Sequence, residues 1–230
     1  MSTHPLDDPV SASLRGPHAG FARRSGRAIG YRSDIAPFAG WDGGDAAWDD
    51  LADLVGAGGS AFLVGRPPVP PPWRMRWSGA VKQMVADGAI GRPDAEFESL
   101  GSDDVPDMLE LTSLTKPGPF RERTIDLGGY IGLRDEGGRL VAMAGRRFRT
   151  EGFGEVSAVC THPDHRARGL GTRLVLAVSA ELVAEGLTPF LHVATDNHGA
   201  IRLYERLGFT VRRELPVAVV SPPDAGGGLG

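Results

Sequence analysis

EVSAVCTHPDHRARGLGT, residues 155–172, decides how this chain is read. Apolar positions predict a strand that Pro163 breaks, and a basic loop, Arg166-Ala167-Arg168-Gly169-Leu170-Gly171, follows it. Beyond the loop Leu170, Leu174, Val178 and Leu182 recur every four residues, an apolar helical stripe closed by Gly186. Strand, glycine loop and helix in that order build a site for phosphate. Glycine lets backbone approach a ligand, the first helical turn aims unpaired N–H groups at it, and arginine adds charge and forked donors. The backbone from Arg166 to Thr172, with Arg166 and Arg168 beside the charge, is therefore the expected anchor.

Working outward, residues 189–194 predict a buried strand and 209–220 a final one. Between them 197–207 predict a helix with Ala200, Leu203, Tyr204 and Leu207 on one face, Asn197 at its start and Gly208 as its stop. Upstream, 130–134 and 139–147 are strands joined by the hairpin signal Asp135-Glu136-Gly137-Gly138. Residues 95–100 alternate as a strand, Ser102 or Asp103 starts a helix to about Ser113, and 115–120 is a turn-rich loop. The count is that of an α/β fold with a mixed sheet and helices on its faces.

A boundary is expected at 88–93, which makes 1–92 an N-terminal α/β lobe, 93–220 the motif-bearing domain and 221–230 a flexible tail. In the lobe, 9–22 and 46–54 predict helices, 40–44 a turn and 60–64 a strand. The proline-rich 66–73 predicts a stiff connection, and 73–77 and 80–85 a pair of strands.

Composition bounds the function. A formal charge of -4 argues against nucleic acid as the main partner, and 41% hydrophobic residues supply a packed core. A single cysteine, Cys160, forms no intrachain disulfide. The N-terminus MSTHPLDDPV lacks a signal peptide's basic and apolar regions, and no apolar run is long enough for a bilayer. The expectation is a cytoplasmic protein without a membrane partner. His162 and His165 have a metal-like spacing but no third ligand, so no metal is expected. The fingerprints G-x-G-x-x-G and G-x-x-x-x-G-K-[ST] are absent, which removes the nucleotide readings.

Three segments resemble the GNAT superfamily of acyl-CoA-dependent N-acyltransferases: Arg166-x-x-Gly169-x-Gly171 between strand and helix, Asn197-x-x-Ala200-x-x-Leu203-Tyr204-x-x-Leu207-Gly208-Phe209, and the run of strands across 130–161. The resemblance covers about 95–220. It implies a GNAT-like fold with acetyl-CoA, or another acyl-CoA, as co-substrate, lying in a V-shaped opening between the strands at 153–161 and 189–194. Residues 1–92 look like the extra N-terminal half of two-lobed members, read as a degenerate copy of the fold.

The resemblance also implies roles. Backbone N–H groups across Val159, Cys160 and Thr161 would polarise the acyl carbonyl, Glu155 would be the base and Tyr204 the acid for the leaving thiolate. Asn197 would cap its helix or bond the pantetheine amide. Cys160 is expected to be a buried thiol rather than an acyl carrier. The loop after the first helix would wall an acceptor pocket, with Phe120, Glu122 and Arg123 as readers of the substrate. His192 would face the cleft or be a satisfied core histidine. The implied activity is transfer of an acetyl or short acyl group from CoA to a primary amine on a small-molecule or amino-acid-like acceptor, by direct attack in a ternary complex, in a chain that pairs as a homodimer. The alternative is an acyl-CoA-binding sensor without turnover.

Overall fold

The computed structural model describes residues 4–42, 46–65 and 68–223. Parts of the turn expected at 40–44, of the proline-rich connection and of the tail lie outside them. The chain begins with α1 (Pro9–Arg15), a small sheet β1 (Ala22–Ser25), β2 (Ala28–Tyr31) and β3 (Ala39–Trp41), then α2 (Trp48–Val55). Strands β4 (Ala61–Val64), β5 (Arg74–Ala86) and β6 (Glu98–Ser99) lead to α3 (Val105–Thr115). After them come β7 (Ile131–Arg134), β8 (Leu140–Thr150), β9 (Phe153–Thr161), α4 (Leu170–Ala184), β10 (Thr188–Ala194), α5 (His198–Arg206) and β11 (Phe209–Ser221).

Among the described residues the large sheet has eight strands in the order β4-β11-β5-β10-β9-β8-β7-β6. Its ladders are antiparallel except for β9 with β10. The stripe read in the sequence is what holds α4: Leu174, Val175, Val178 and Leu182 are buried against Met84, Val156 and Leu191. Fully burying one such side chain is worth roughly 1.5–3 kcal/mol. Another cluster joins Leu6, Val10 and Leu14 to Phe148 and Phe190 of the sheet.

Four expectations change. Residues 73–77 and 80–85 do not pair with one another. They belong to the single 13-residue strand β5, whose length is fixed by the equally long β11 beside it. The helix expected over 9–22 stops at Arg15, where Gly16 caps it and Pro17 cannot continue it, and Ala22 opens β1 instead. The strand expected at 95–100 shrinks to Glu98–Ser99. The boundary expected at 88–93 falls inside one sheet, for β5 precedes it yet lies between β10 and β11. No helix among the described residues is long and apolar enough to cross a membrane.

Candidate active site

The opening between β9 and β10 follows from one extra residue. The two strands pair only from Phe153 to Glu155 against Thr188 to Phe190, and then part. Across β9 and β8 the register passes from Cys160–Met143 to Ser157–Gly145, so β9 spends three residues where β8 spends two. That bulge falls at Ala158, whose φ of 53° is left-handed. Gly145 faces it because a Cβ there would lie 2.4 Å from the Tyr130 ring. The parted strands open into a cavity of about 430 Å³ bordered by Ser157, Ala158, Val159, His192, Asn197 and Tyr204. Val159 thus lies on the open segment. Cys160 and Thr161 remain in register with Met143 and Ala142, and neither borders the cavity.

The glycine loop reaches α4 through two left-handed residues, Ala167 (φ 60°) and Gly169 (φ 75°), the latter at the helix N-cap. The first intrahelical bond runs from Arg173 N–H to Gly169 C=O, 3.1 Å, so Leu170, Gly171 and Thr172 present the free amides of the first turn. Space above the α-carbons of Gly169 and Gly171 is open. Arg166 and Arg168 are exposed beside it.

Glu155 has a different setting from the one its role requires. It is fully buried and does not border the cavity. Its carboxylate accepts from Arg147 Nε (2.9 Å) and Nη2 (2.7 Å), from the Phe148 N–H (3.2 Å) and from His192 Nδ1 (2.8 Å). Burial pushes its pKa up, but Arg147 and then His192 outweigh that and hold it at about 2. Gln83 closes the network from the other side. Its Nε2 donates to the Leu6 carbonyl (2.9 Å) and faces His192 Nε2 at 3.1 Å, while its Oε1 accepts from Arg212 Nη1 (2.9 Å). Arg212 only donates and the Leu6 carbonyl only accepts, so the amide has one orientation. His192 Nε2 is therefore the acceptor, and the ring proton sits on Nδ1. Nothing in the sequence pointed to Gln83, which lies 109 residues from His192.

The other expected residues divide. Asn197 caps α5, its Oδ1 accepting from Ala200 N–H (3.1 Å), and also borders the cavity. Tyr204 is half-buried on the cavity wall, and burial pushes its phenol up to about 12. The loop after α3 does wall the cavity, but through Thr115 to Pro119. Phe120 instead packs edge-on to Tyr130, Glu122 is exposed, and Arg123 pairs with Asp34 and Asp126. The far wall, Phe38, Phe62 and Trp77, comes from the first 92 residues and carried no local signal.

Cys160 is buried, and burial pushes its thiol up to about 11. Iodoacetamide at pH 8 is expected to leave it unmodified in the folded chain and to alkylate it once urea unfolds the protein. Mass spectrometry reads the difference, and rapid modification of the folded chain would mean an accessible thiolate.

Comparisons with known proteins give the family. Residues 130–216 match the family model described as FR47-like protein. An acetyltransferase from the GNAT family of Novosphingobium aromaticivorans, with a solved structure, is 39% identical, with 96% of this chain and 100% of that one covered at a TM-score of 0.89. The chain belongs to the GNAT family. Mycothiol acetyltransferases are also similar: that of Actinosynnema mirum is 37% identical over 90 residues, 39% of this chain and 30% of its own length. That of Pseudarthrobacter chlorophenolicus is 29% identical over 224 residues, 89% of this chain and 66% of its own length. The chain spans about a third of the first curated relatives it matches. Its GNAT fold also extends to a GCN5-related N-acetyltransferase from Kribbella flavida, 18% identical with a TM-score of 0.59 over 95% of each chain.

Proposed function

We propose that this GNAT acetyltransferase moves an acetyl or short acyl group from CoA to a primary amine by direct attack in a ternary complex. The observation that carries the proposal is the cavity itself, with the bulge at Ala158, Asn197 and Tyr204 on its wall. The open cradle above Gly169 and Gly171 fits a pyrophosphate, which the amides of 170–172 and the side chains of Arg166 and Arg168 would hold. When bound, acetyl-CoA supplies an acyl group activated as a thioester.

The chain's residues do the rest. Backbone N–H groups at the bulge, Val159 foremost, would bond the carbonyl oxygen as charge builds on it, worth roughly 3–4 kcal/mol for such a donor. The amine nitrogen forms the new N–C bond as the C–S bond breaks. One amine proton leaves through water, because Glu155 is closed off behind Arg147 and His192. Glu155 acts instead by holding those two side chains. Tyr204 gives a proton to the departing sulfur and regains one from solvent, and a phenol at about 12 stays protonated for that task across the neutral range.

Thiol release from acetyl-CoA in the presence of an amine tests this reading. Tyr204→Phe is expected to lower kcat about 10²-fold with little change in acetyl-CoA affinity. Unchanged turnover would remove Tyr204 from the proton's path.

A further inference from the structure

The lining of the cavity also restricts which amine it takes. No aspartate or glutamate borders it among the described residues, and its fully charged side chains are Lys116 and Arg147. Glu155 neutralises Arg147 from behind and presents no surface of its own. Its bonds engage Nε and Nη2, which leaves Arg147 Nη1 without a partner among the described residues. Lys116 is exposed, in the left-handed conformation (φ 50°), and its ammonium has no described partner either. The lining is therefore net positive. Beside Arg147, whose guanidinium lies 5.0 Å from the Phe38 ring, an aromatic row begins: Phe38 and Phe62 lie 5.0 Å apart and Phe62 and Trp77 5.9 Å apart, with Trp77 still 52% exposed. A large uncovered aromatic in the same cavity as two donors with spare N–H groups makes an amphipathic receptor.

We infer that the acceptor is a primary amine joining an aromatic or large aliphatic group to a carboxylate, as an apolar α-amino acid does. Its apolar group lies on Phe38, Phe62 and Trp77, and its carboxylate accepts from Lys116 and Arg147 Nη1. Polyamines and aminoglycosides are rejected, since their extra cations would face Lys116 with no carboxylate to offset the repulsion. The inference rests on the acetyltransferase reading above and narrows it.

The test uses the full chain and three acceptors: L-phenylalanine, 2-phenylethylamine, which keeps the ring without the carboxylate, and spermidine. Thiol release from acetyl-CoA is expected to favour L-phenylalanine over 2-phenylethylamine by about tenfold or more in kcat/KM, with spermidine at background. Lys116→Asn, a residue that accepts the left-handed backbone, is expected to raise KM for L-phenylalanine about tenfold and keep kcat. N-acetyl-L-phenylalanine, the product, is expected to quench tryptophan fluorescence in the native chain and less in Trp77→Phe. Spermidine turned over as well as L-phenylalanine, or 2-phenylethylamine matching it, would overturn the inference. So would a chain that binds acetyl-CoA yet neither turns over L-phenylalanine nor binds its product. A chain that fails to bind acetyl-CoA at all would overturn the acetyltransferase reading, and this inference with it.

Discussion

Glu155→Gln is expected to lower the melting temperature at pH 7 by roughly 6–20 °C, although the side chain keeps its size. Arg147 is only 12% exposed and its charge is matched by Glu155 alone among the described carboxylates. The guanidinium lies against the rings of Phe38 and Phe148, 5.0 and 5.1 Å from their centroids, so water reaches little of it to replace the lost partner. Removing one member of such a pair costs about 3–5 kcal/mol, chiefly because the other charge stays buried. His192 would lose its anchor at Nδ1 as well, so turnover should fall with stability. The native chain carries a matching dependence on pH. Glu155 sits at about 2 in the fold against an ordinary 4.5, so its contribution is complete above 4.5 and fades as the pH falls toward 2. The variant should lack that portion of the acid transition. Thermal melts of both chains at pH 7 and pH 3 check each part, and a melting temperature within 2 °C of the native value at pH 7 would mean that the pair is replaceable by water.

Ala158→Val is expected to lower kcat by about 10²–10³-fold, the loss that follows when one preorganised carbonyl donor is misplaced. Ala158 holds φ at 53° because β9 carries one residue more than β8 across the bulge. Alanine bears that conformation at a cost of about 1–2 kcal/mol, whereas a β-branched side chain is a true outlier there. Valine should therefore pull the bulge toward ordinary extended backbone, closing the gap between β9 and β10 and turning the Val159 amide away. Ala158→Gly removes the strain without moving the bulge and should retain turnover. Steady-state kinetics on the two variants separate shape from bulk. If valine were as active as glycine, the bulge would have no part in aligning the carbonyl.

What could be read in advance was local. The loop from Arg166 to Gly171 is recognisable because left-handed backbone, helix start and charge are encoded within six residues. The hairpin at 135–138 is equally self-contained, with the Asp135 carboxylate accepting from the amides of Gly137 and Arg139 at 3.0 Å each. Asn197 and Gly208 bracket α5 in the same way. What escaped was long-range. That β5 is one strand depends on β11, more than a hundred residues away. Phe38, Phe62 and Trp77 reach the cavity only after the first sheet and β4 dock beside Phe148. The spacing of Arg147 and Glu155 could not tell that the arginine would lock the carboxylate behind itself, off the cavity. The loop after α3 was placed at the cavity with its first half and second half exchanged, because turn chemistry fixes where a chain bends and not which residues then face inward.

The measurement closest to the central claim is calorimetric titration of the purified chain with acetyl-CoA, with ATP and NAD as controls, alongside the Arg166→Ala/Arg168→Ala double variant. Micromolar binding of acetyl-CoA alone is expected, weakened roughly 10–100-fold when both guanidinium groups are removed. Binding that is absent, or that the double variant leaves unchanged, would mean that the loop ahead of α4 is a surface turn and would contradict the proposed site.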